Sequence, residues 1–244
     1  MSKTLSQQAK NKSAQFTLVI GNKNYSSWSL RPWLVLKHLG ISFDEILIPL
    51  RQPQTKQQIL KYSPAGKVPI LKHQCSVSNI PLQWGDSLET LHQDLVIWES
   101  LAIAEYLADL YPEKQLWPED REARATARAI SSEMHAGFMD LRKNYPMDVR
   151  SHKSPRPNEG VTEDINRLIL IWQECRKKFG KNGQFLFGKF SIADCMFAPI
   201  VFRFNTYGVD LSGEAKKYFT AMLNLPAMKE WRSAAALEPY VIHE

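Results

Sequence analysis

Residues 16–40 read FTLVIGNKNYSSWSLRPWLVLKHLG, and the order of apolar run, polar loop and second apolar run fixes how the chain begins. Phe16 to Gly21 is short, apolar and partly β-branched, and it ends in glycine, which predicts a buried strand. Asn22 to Ser27 is polar and predicts a loop. Leu30 to Leu39 has helical spacing, with Pro32 in the first turn, where its missing N–H costs nothing, and Gly40 at the stop. The loop therefore delivers Tyr25, Ser26 and Ser27 to the N-terminus of a helix.

Outward from this unit, Ile41 to Leu50 (ISFDEILIPL) predicts a second strand, which makes a βαβ opening with a parallel pair. A polar helix is expected from Pro53 to Tyr62, then a turn at Ser63-Pro64-Ala65-Gly66. Lys67-Val68-Pro69-Ile70-Leu71 predicts a strand whose proline demands an edge, a bulge or a cis bond. Asp94 to Trp98 predicts another strand, and Glu99 to Leu110 a helix with an acid and a serine in its first turn. Tyr111 to Asp120 (YPEKQLWPED) has two prolines and no period, as a linker would. Beyond it the pattern is helical: Asp120 to Asn144, Thr162 to Phe179, Ser191 to Phe204 and Pro226 to Leu237. The proline-containing loop Asp148 to Gly160 is expected to be the most mobile stretch.

The fold class expected is α+β with two domains: a thioredoxin-like domain over 16–110, a linker over 111–119 and an all-α domain over 120–244, preceded by a disordered tail over 1–15. In the chain of 244 residues, 44% are apolar and 23% charged, ordinary values for a globular protein. No apolar run approaches the ~18 residues of a membrane-spanning helix, and the start has no signal-peptide core, so a cytoplasmic protein without membrane association is expected. Three cysteines (Cys75, Cys175, Cys195) without a CxxC pair fit free thiols in a reducing compartment. The net charge of +6 owes half its excess to Lys3, Lys10 and Lys12 in the polar start. No basic-aromatic motif accompanies it, so nucleic acid is not the expected partner; the positive field suits a small anionic ligand.

Four motifs then carry a resemblance. Tyr25-Ser26-Ser27-Trp28-Ser29-Leu30-Arg31, Gly66-Lys67-Val68-Pro69, Trp98-Glu99-Ser100-Leu101-Ala102-Ile103-Ala104-Glu105-Tyr106-Leu107 and Ser191-Ile192-Ala193-Asp194 follow one another in the order and spacing of the glutathione transferase superfamily, apart from one insertion. The resemblance covers roughly residues 16 to 240, and the doubled serine looks most like the zeta class and its bacterial relatives. It implies a detoxifying transferase that takes glutathione as co-substrate, uses no metal and forms a homodimer.

It also implies roles. Glutathione must be held as a thiolate, and a hydroxyl donor at a helix N-terminus favours that anion without becoming charged. Ser26 aligns with the catalytic serine of zeta-like enzymes, with Ser27 and Tyr25 as alternatives; the other explanation for the serines is N-capping, which Ser27 and Ser29 could satisfy. Val68-Pro69 resembles the cis-proline turn whose backbone pairs with the cysteinyl unit of glutathione. Glu99 and Ser100 resemble the pair that holds the γ-glutamyl end, although a capped helix accounts for them too. Lys67 could reach the glycyl carboxylate. Ser191 to Asp194 resembles a capping motif that serves folding.

The second substrate is expected near Trp28 and a helical face carrying His135, Phe138, Met139 and Arg142, beside Met134. This stripe could equally be interdomain core. His135 reads more readily as a packed histidine than as an acid–base group, and Arg142 is a candidate for an acidic substrate's carboxylate.

One stretch departs from the family: Lys72 to Gln93 inserts roughly fifteen residues where a tight hairpin is usual, which puts the local strand pairing in doubt. His73, Cys75 and His92 fall there, too unevenly spaced to make a persuasive metal site. No cysteine occupies Tyr25 to Ser29, so mixed-disulfide reductase chemistry is not expected. Transfer of glutathione to a small, partly apolar electrophile leads, a maleylacetoacetate-type cis–trans isomerase is the runner-up, and a non-catalytic binding or regulatory module on the same fold is the reading of a different class.

Overall fold

The computed structural model of the chain describes residues 15–74 and 94–242. Strand β1 (Phe16–Ile20) runs into helix α1 (Ser27–Leu39), and β2 (Phe43–Leu47) returns parallel to β1, pairing Phe16 with Phe43 and Ile20 with Leu47. After α2 (Thr55–Leu60), β3 (Ile70–Gln74) pairs antiparallel to β1, and β4 (Asp94–Trp98) antiparallel to β3. The sheet order is β2-β1-β3-β4. This mixed sheet with its helices is the thioredoxin-like domain. Pairing runs from Ile70 opposite Trp98 to Gln74 opposite Asp94, so the strands flanking the insertion form a regular ladder.

The period of two in β1 separates two cores. Phe16, Leu18 and Ile20 face α1 and the main core, whereas Val19 joins Ile48, Ile59 and Ile70 in a small cluster under α2. Helix α1 is buried on nearly all sides. It packs on the sheet, on α3 (Ser100–Leu110) and, across the domain boundary, on α7 (Ile192–Thr206) and α9 (Pro226–Leu237). Gly40 ends α1 at φ 69°, its N–H reaching the Leu36 and Lys37 carbonyls, as its place in the sequence predicts.

The helical domain also contains α4 (Arg121–Ala136), α5 (Met139–Asn144), α6 (Glu159–Phe179) and α8 (Gly213–Asn224). Three sequence expectations change. The single helix expected over Asp120 to Asn144 is two, broken where Phe138 takes a left-handed φ of 62°. Burial of the Phe138 ring in the core accompanies that turn, and it ends the shared helical face expected for residues 135, 138, 139 and 142: Phe138 is buried while Met139 is 66% exposed. Helix α6 begins three residues early because Asn158 caps it, accepting the Val161 N–H at 2.8 Å. Helix α8 is an addition to the elements expected from the sequence.

The loop expected to be most mobile is tied down by polar contacts. Val149 N–H and Arg150 N–H reach the Asn24 backbone carbonyl and side-chain oxygen, Lys153 N–H reaches Thr206 O, and the Tyr145 hydroxyl donates to Pro155 O. His73, weighed as a metal ligand, stacks on Phe16 with ring centroids 4.4 Å apart. Its nitrogens lie 2.6 Å from the Gln15 amide and the Tyr106 hydroxyl. Cys75 and His92, with the rest of the insertion beyond Gln74, lie outside the described residues, as does the tail up to residue 14. No helix among the described residues is long and apolar enough to cross a membrane.

Asp194 organises the start of α7. Its carboxylate accepts the Ser191 N–H at 2.8 Å, the Ser191 hydroxyl at 3.0 Å and the Leu186 N–H at 3.1 Å. Burial lifts its pKa to about 6 against the pull of those donors. Replacing Asp194 by alanine strands two buried backbone N–H groups and should cost about 2–4 kcal/mol in urea unfolding. The raised pKa means that the proton on Asp194 favours the fold. That contribution is present below the ordinary carboxylate range and is lost as pH rises through about 6, so the same substitution should remove this part of the pH dependence.

Candidate functional site

The loop ahead of α1 folds back on itself: the Asn22 carbonyl accepts the Tyr25 and Ser26 N–H groups at 3.1 and 2.8 Å. Ser26 is the N-cap of α1, its oxygen taking the Ser29 N–H at 3.4 Å. A second link runs behind it. Gly21 N–H donates to Ser29 Oγ at 3.0 Å, and the Ser29 and Ser26 oxygens lie 2.7 Å apart. With its acceptor side used by Gly21, Ser29 can give its own proton to Ser26, which leaves the Ser26 proton to be donated outward. Ser27 Oγ instead accepts from Arg203 Nη2 at 3.4 Å, so its proton is also available. The Trp28 N–H, in the exposed-donor region of the helix start, has no backbone partner among the described residues. Tyr25 is held elsewhere: its hydroxyl accepts from Arg150 Nη2 at 3.3 Å and the Ile242 N–H at 3.2 Å.

A cleft of about 380 Å³ opens beside this helix start, lined by Trp28, Ala65, Lys67, Val68, Pro69, Trp98, Glu99 and His135. Gly66, with φ 63°, turns the chain so that Lys67 and Val68 form one wall, followed by a cis Val68–Pro69 bond. Neither the N–H nor the C=O of Val68 has a backbone partner among the described residues. Beside it, because Ile70 pairs with Trp98, lies the entry to α3. There Glu99 is held at φ 68° and ψ 126°, a conformation that a non-glycine residue adopts only under constraint. Ser100 follows as the first residue of α3, and its hydroxyl is buried without a hydrogen-bond partner among the described residues.

The cleft is thus lined by Val68, whose backbone groups have no backbone partner among the described residues, and by the Glu99 carboxylate, with the Ser100 hydroxyl and the α3 N-terminus buried beside it, an array that complements an amino-acid-like ligand carrying both charges.

Trp28 lines the cleft as well. His135 meets its ring edge-on with centroids 5.0 Å apart, and the guanidiniums of Arg31 and Arg142 lie 4.3 and 4.9 Å from the ring centroid. His135 Nε2 is 3.9 Å from Glu99, while burial and then Arg31 hold its pKa below the usual histidine value.

Of the residues expected from the sequence, Trp28, Lys67, Val68, Pro69, Glu99 and His135 are brought together around the cleft. Ser26, Ser27 and Ser100 sit buried at the helix ends beside it, Arg142 lies behind Trp28, and Phe138 and Tyr25 are not among the lining residues. Sequence reasoning missed Ala65 and Trp98 in the wall, and Arg31 and Arg203 as charges near the helix start. The signal for Arg31 was present, an arginine inside an otherwise apolar helix stripe.

Two family models match the sequence: "Glutathione S-transferase, N-terminal domain" over residues 25–110 and "Glutathione S-transferase, C-terminal domain" over residues 158–236. A "Probable maleylacetoacetate isomerase" of Caenorhabditis elegans is 26% identical over 191 residues, 76% of this chain and 77% of that protein. A "Stringent starvation protein A homolog" of Coxiella burnetii is 23% identical over 201 residues, 82% of this chain and 81% of that protein. Among solved structures, a glutathione transferase homolog from Burkholderia, crystallised with bound glutathione, superposes with a TM-score of 0.62. It is 22% identical, and the match covers 91% of this chain and 99% of that one. With both domain models matched in order and the mixed sheet followed by helices, the protein belongs to the glutathione transferase superfamily.

Proposed function

We propose that the cleft binds glutathione and that the start of α1 activates its thiol for reaction with a small electrophile. The observation that carries this reading is the buried Ser100 hydroxyl at the head of α3, without a hydrogen-bond partner among the described residues and next to Glu99, which lines the cleft together with Val68. The Burkholderia neighbour crystallised with glutathione supports it. Glu99 would take the γ-glutamyl ammonium, Ser100 and the α3 N-terminus its carboxylate, Val68 the cysteinyl backbone, and Lys67 the glycyl carboxylate. Bound glutathione supplies a nucleophilic sulfur.

The protein's part is to favour the anionic form of that sulfur. A hydroxyl donor at the positive end of α1 does so; lowering a thiol pKa by about 2 units requires about 2.7 kcal/mol. One charge-assisted hydrogen bond with a helix terminus can supply that. Ser26, fed by the Gly21–Ser29 relay, is the proposed donor. Ser27 is a second reading, favoured by the Arg203 guanidinium behind its oxygen. The isomerase-named relative supports cis–trans isomerisation as an alternative use of the same thiol, and family resemblance extends the reading to a cytoplasmic homodimer.

Retention on immobilised glutathione is the first test; a protein that fails to bind would favour a non-catalytic module. Replacing the donor serine by alanine should raise the pKa of the bound thiol by about 1–2 units in an ultraviolet thiolate titration while leaving glutathione affinity within about threefold. A rise in Ser27→Ala and none in Ser26→Ala would pass the role to Ser27.

Glu99 separates stability from binding. Glu99→Gly relieves a left-handed φ and should leave urea stability unchanged or raise it by about 1 kcal/mol, while weakening glutathione binding about 10- to 100-fold in calorimetric titration.

A further inference from the structure

The four sequence motifs leave out the segment that follows α9, yet its hydrogen bonds converge on the loop ahead of α1. Pro239 bars the residue before it from the helical region, so α9 stops at Leu237 and Glu238 takes the extended values φ −69° and ψ 129°. Its carboxylate there meets two consecutive backbone N–H groups, that of Lys23 at 2.6 Å through Oε1 and that of Asn24 at 3.2 Å through Oε2. Trp231 of α9 adds a third bond, its Nε1 donating to the Lys23 carbonyl at 2.8 Å. One residue further along the loop, the Tyr25 hydroxyl accepts the Ile242 N–H at 3.2 Å.

Arg150 ties the same segment from another side. Its Nη1 donates to the Glu238 carbonyl at 2.7 Å, and its Nη2 to the Tyr240 carbonyl at 3.0 Å and the Tyr25 hydroxyl at 3.3 Å. Residues 238–242 form neither helix nor strand, and Tyr240 and Val241 are exposed, so these bonds are what fixes the segment. The dependence runs both ways. Asn24 is fully buried, and its N–H, stripped of the Glu238 carboxylate, would have to find another acceptor by moving the loop.

Ser26 comes directly after Tyr25. Its N–H and that of Tyr25 close on the Asn22 carbonyl, so the turn that sets Ser26 at the head of α1 runs through the residues that Glu238 holds. Neither Arg150 nor any of residues 238–242 lines the cleft, so the segment works from behind the loop and not as a cover over a ligand. We infer that Glu238 and Arg150 are positioning residues for thiol activation, holding the loop so that the serine hydroxyls at the start of α1 meet the sulfur. A hydrogen bond weakens steeply with misdirection, and small misplacements of a positioned group are costly. A slackened loop therefore raises the pKa of the bound thiol, while Val68, Glu99 and Ser100 keep their places on other elements. The role in thiol activation rests on the glutathione reading above; the hold on the loop does not.

The test compares the full chain with its Glu238→Ala, Glu238→Gln and Arg150→Met variants. The pKa of bound glutathione, read from thiolate absorbance, should rise by about 0.5–1 unit in Glu238→Ala and Arg150→Met, with glutathione affinity within about threefold of wild type. Glu238→Gln keeps one acceptor oxygen and should fall between. In a protein whose donor serine is already alanine, adding Glu238→Ala should leave the thiol pKa within about 0.2 units, because residues that act through one group are not additive. A second shift of full size there, or an unchanged thiol pKa in folded Glu238→Ala, overturns the positioning role. Amide hydrogen exchange needs no ligand: Lys23 and Asn24 should exchange at least about tenfold faster in Glu238→Ala, and equal rates overturn the hold on the loop. If Glu238→Ala does not fold, Glu238→Gln and Arg150→Met carry both comparisons. Failure of wild type to bind glutathione removes the glutathione reading and the role in thiol activation with it, and the exchange rates then decide whether the segment holds the loop.

Discussion

The buried side chain of Asn24 joins the two halves of the protein at the point where the site is built. Its amide donates to Asp148 at 2.8 Å and its oxygen accepts the Arg150 N–H at 2.9 Å, while its own backbone N–H is received by Glu238. These bonds hold the loop before α1 against two segments of the helical domain, more than a hundred residues away in sequence. A loop of polar residues would otherwise be free to choose among turn conformations at a cost of ~1–2 kcal/mol for each residue ordered. Fixing it sets the direction of α1, and α1 sets the sheet against α7.

Position of the helix start matters more than its chemistry. Ser26, Ser27 and Ser29 are small hydroxyl residues of a kind found at many helix ends. What distinguishes them is the supply of donors behind: a backbone N–H reaches Ser29 and a guanidinium reaches Ser27. Ser29 and Ser27 thereby accept from within the protein, which leaves their own protons to be donated. The α3 entry works in the opposite manner. There the backbone takes a positive φ at Glu99, whose carboxylate lines the cleft, with the Ser100 hydroxyl and the helix end buried beside it. The α1 hydroxyls accept from within the protein, the Ser100 hydroxyl has no partner among the described residues, and the cleft opens beside both helix starts.

Much of this was legible because it is local. The strand, loop and helix of residues 16–40 are set by period, by Pro32 and by Gly40, all of which act over a few residues. Asp194 likewise announced itself through its spacing from Ser191. What escaped notice depends on distant partners. The break after α4 is the exception, for it falls at Gly137, the C-cap of that helix and a local signal left unread, with the buried Phe138 next to it. The segment after Asp148 has the prolines and polarity of a loose loop, yet its bonds run to Asn24 and Thr206. Helix α8 did carry a readable signal, with Tyr218, Phe219 and Met222 spaced to face inward. The charge of Arg31 could be counted from the sequence, but its isolation from water could not.

Arg142 has a second employment that follows from the break between α4 and α5. Its guanidinium serves the Gly137 and Met134 carbonyls, the very acceptors that the end of α4 leaves without an N–H of their own. The last turn of α4 is thus capped by a guanidinium borrowed from the next helix. In the same position that guanidinium lies 4.9 Å from the Trp28 ring centroid, so the bonds that close the helix end also set the cation against the indole. The end of α4 and the aromatic lining of the cleft are in this way joined through one side chain.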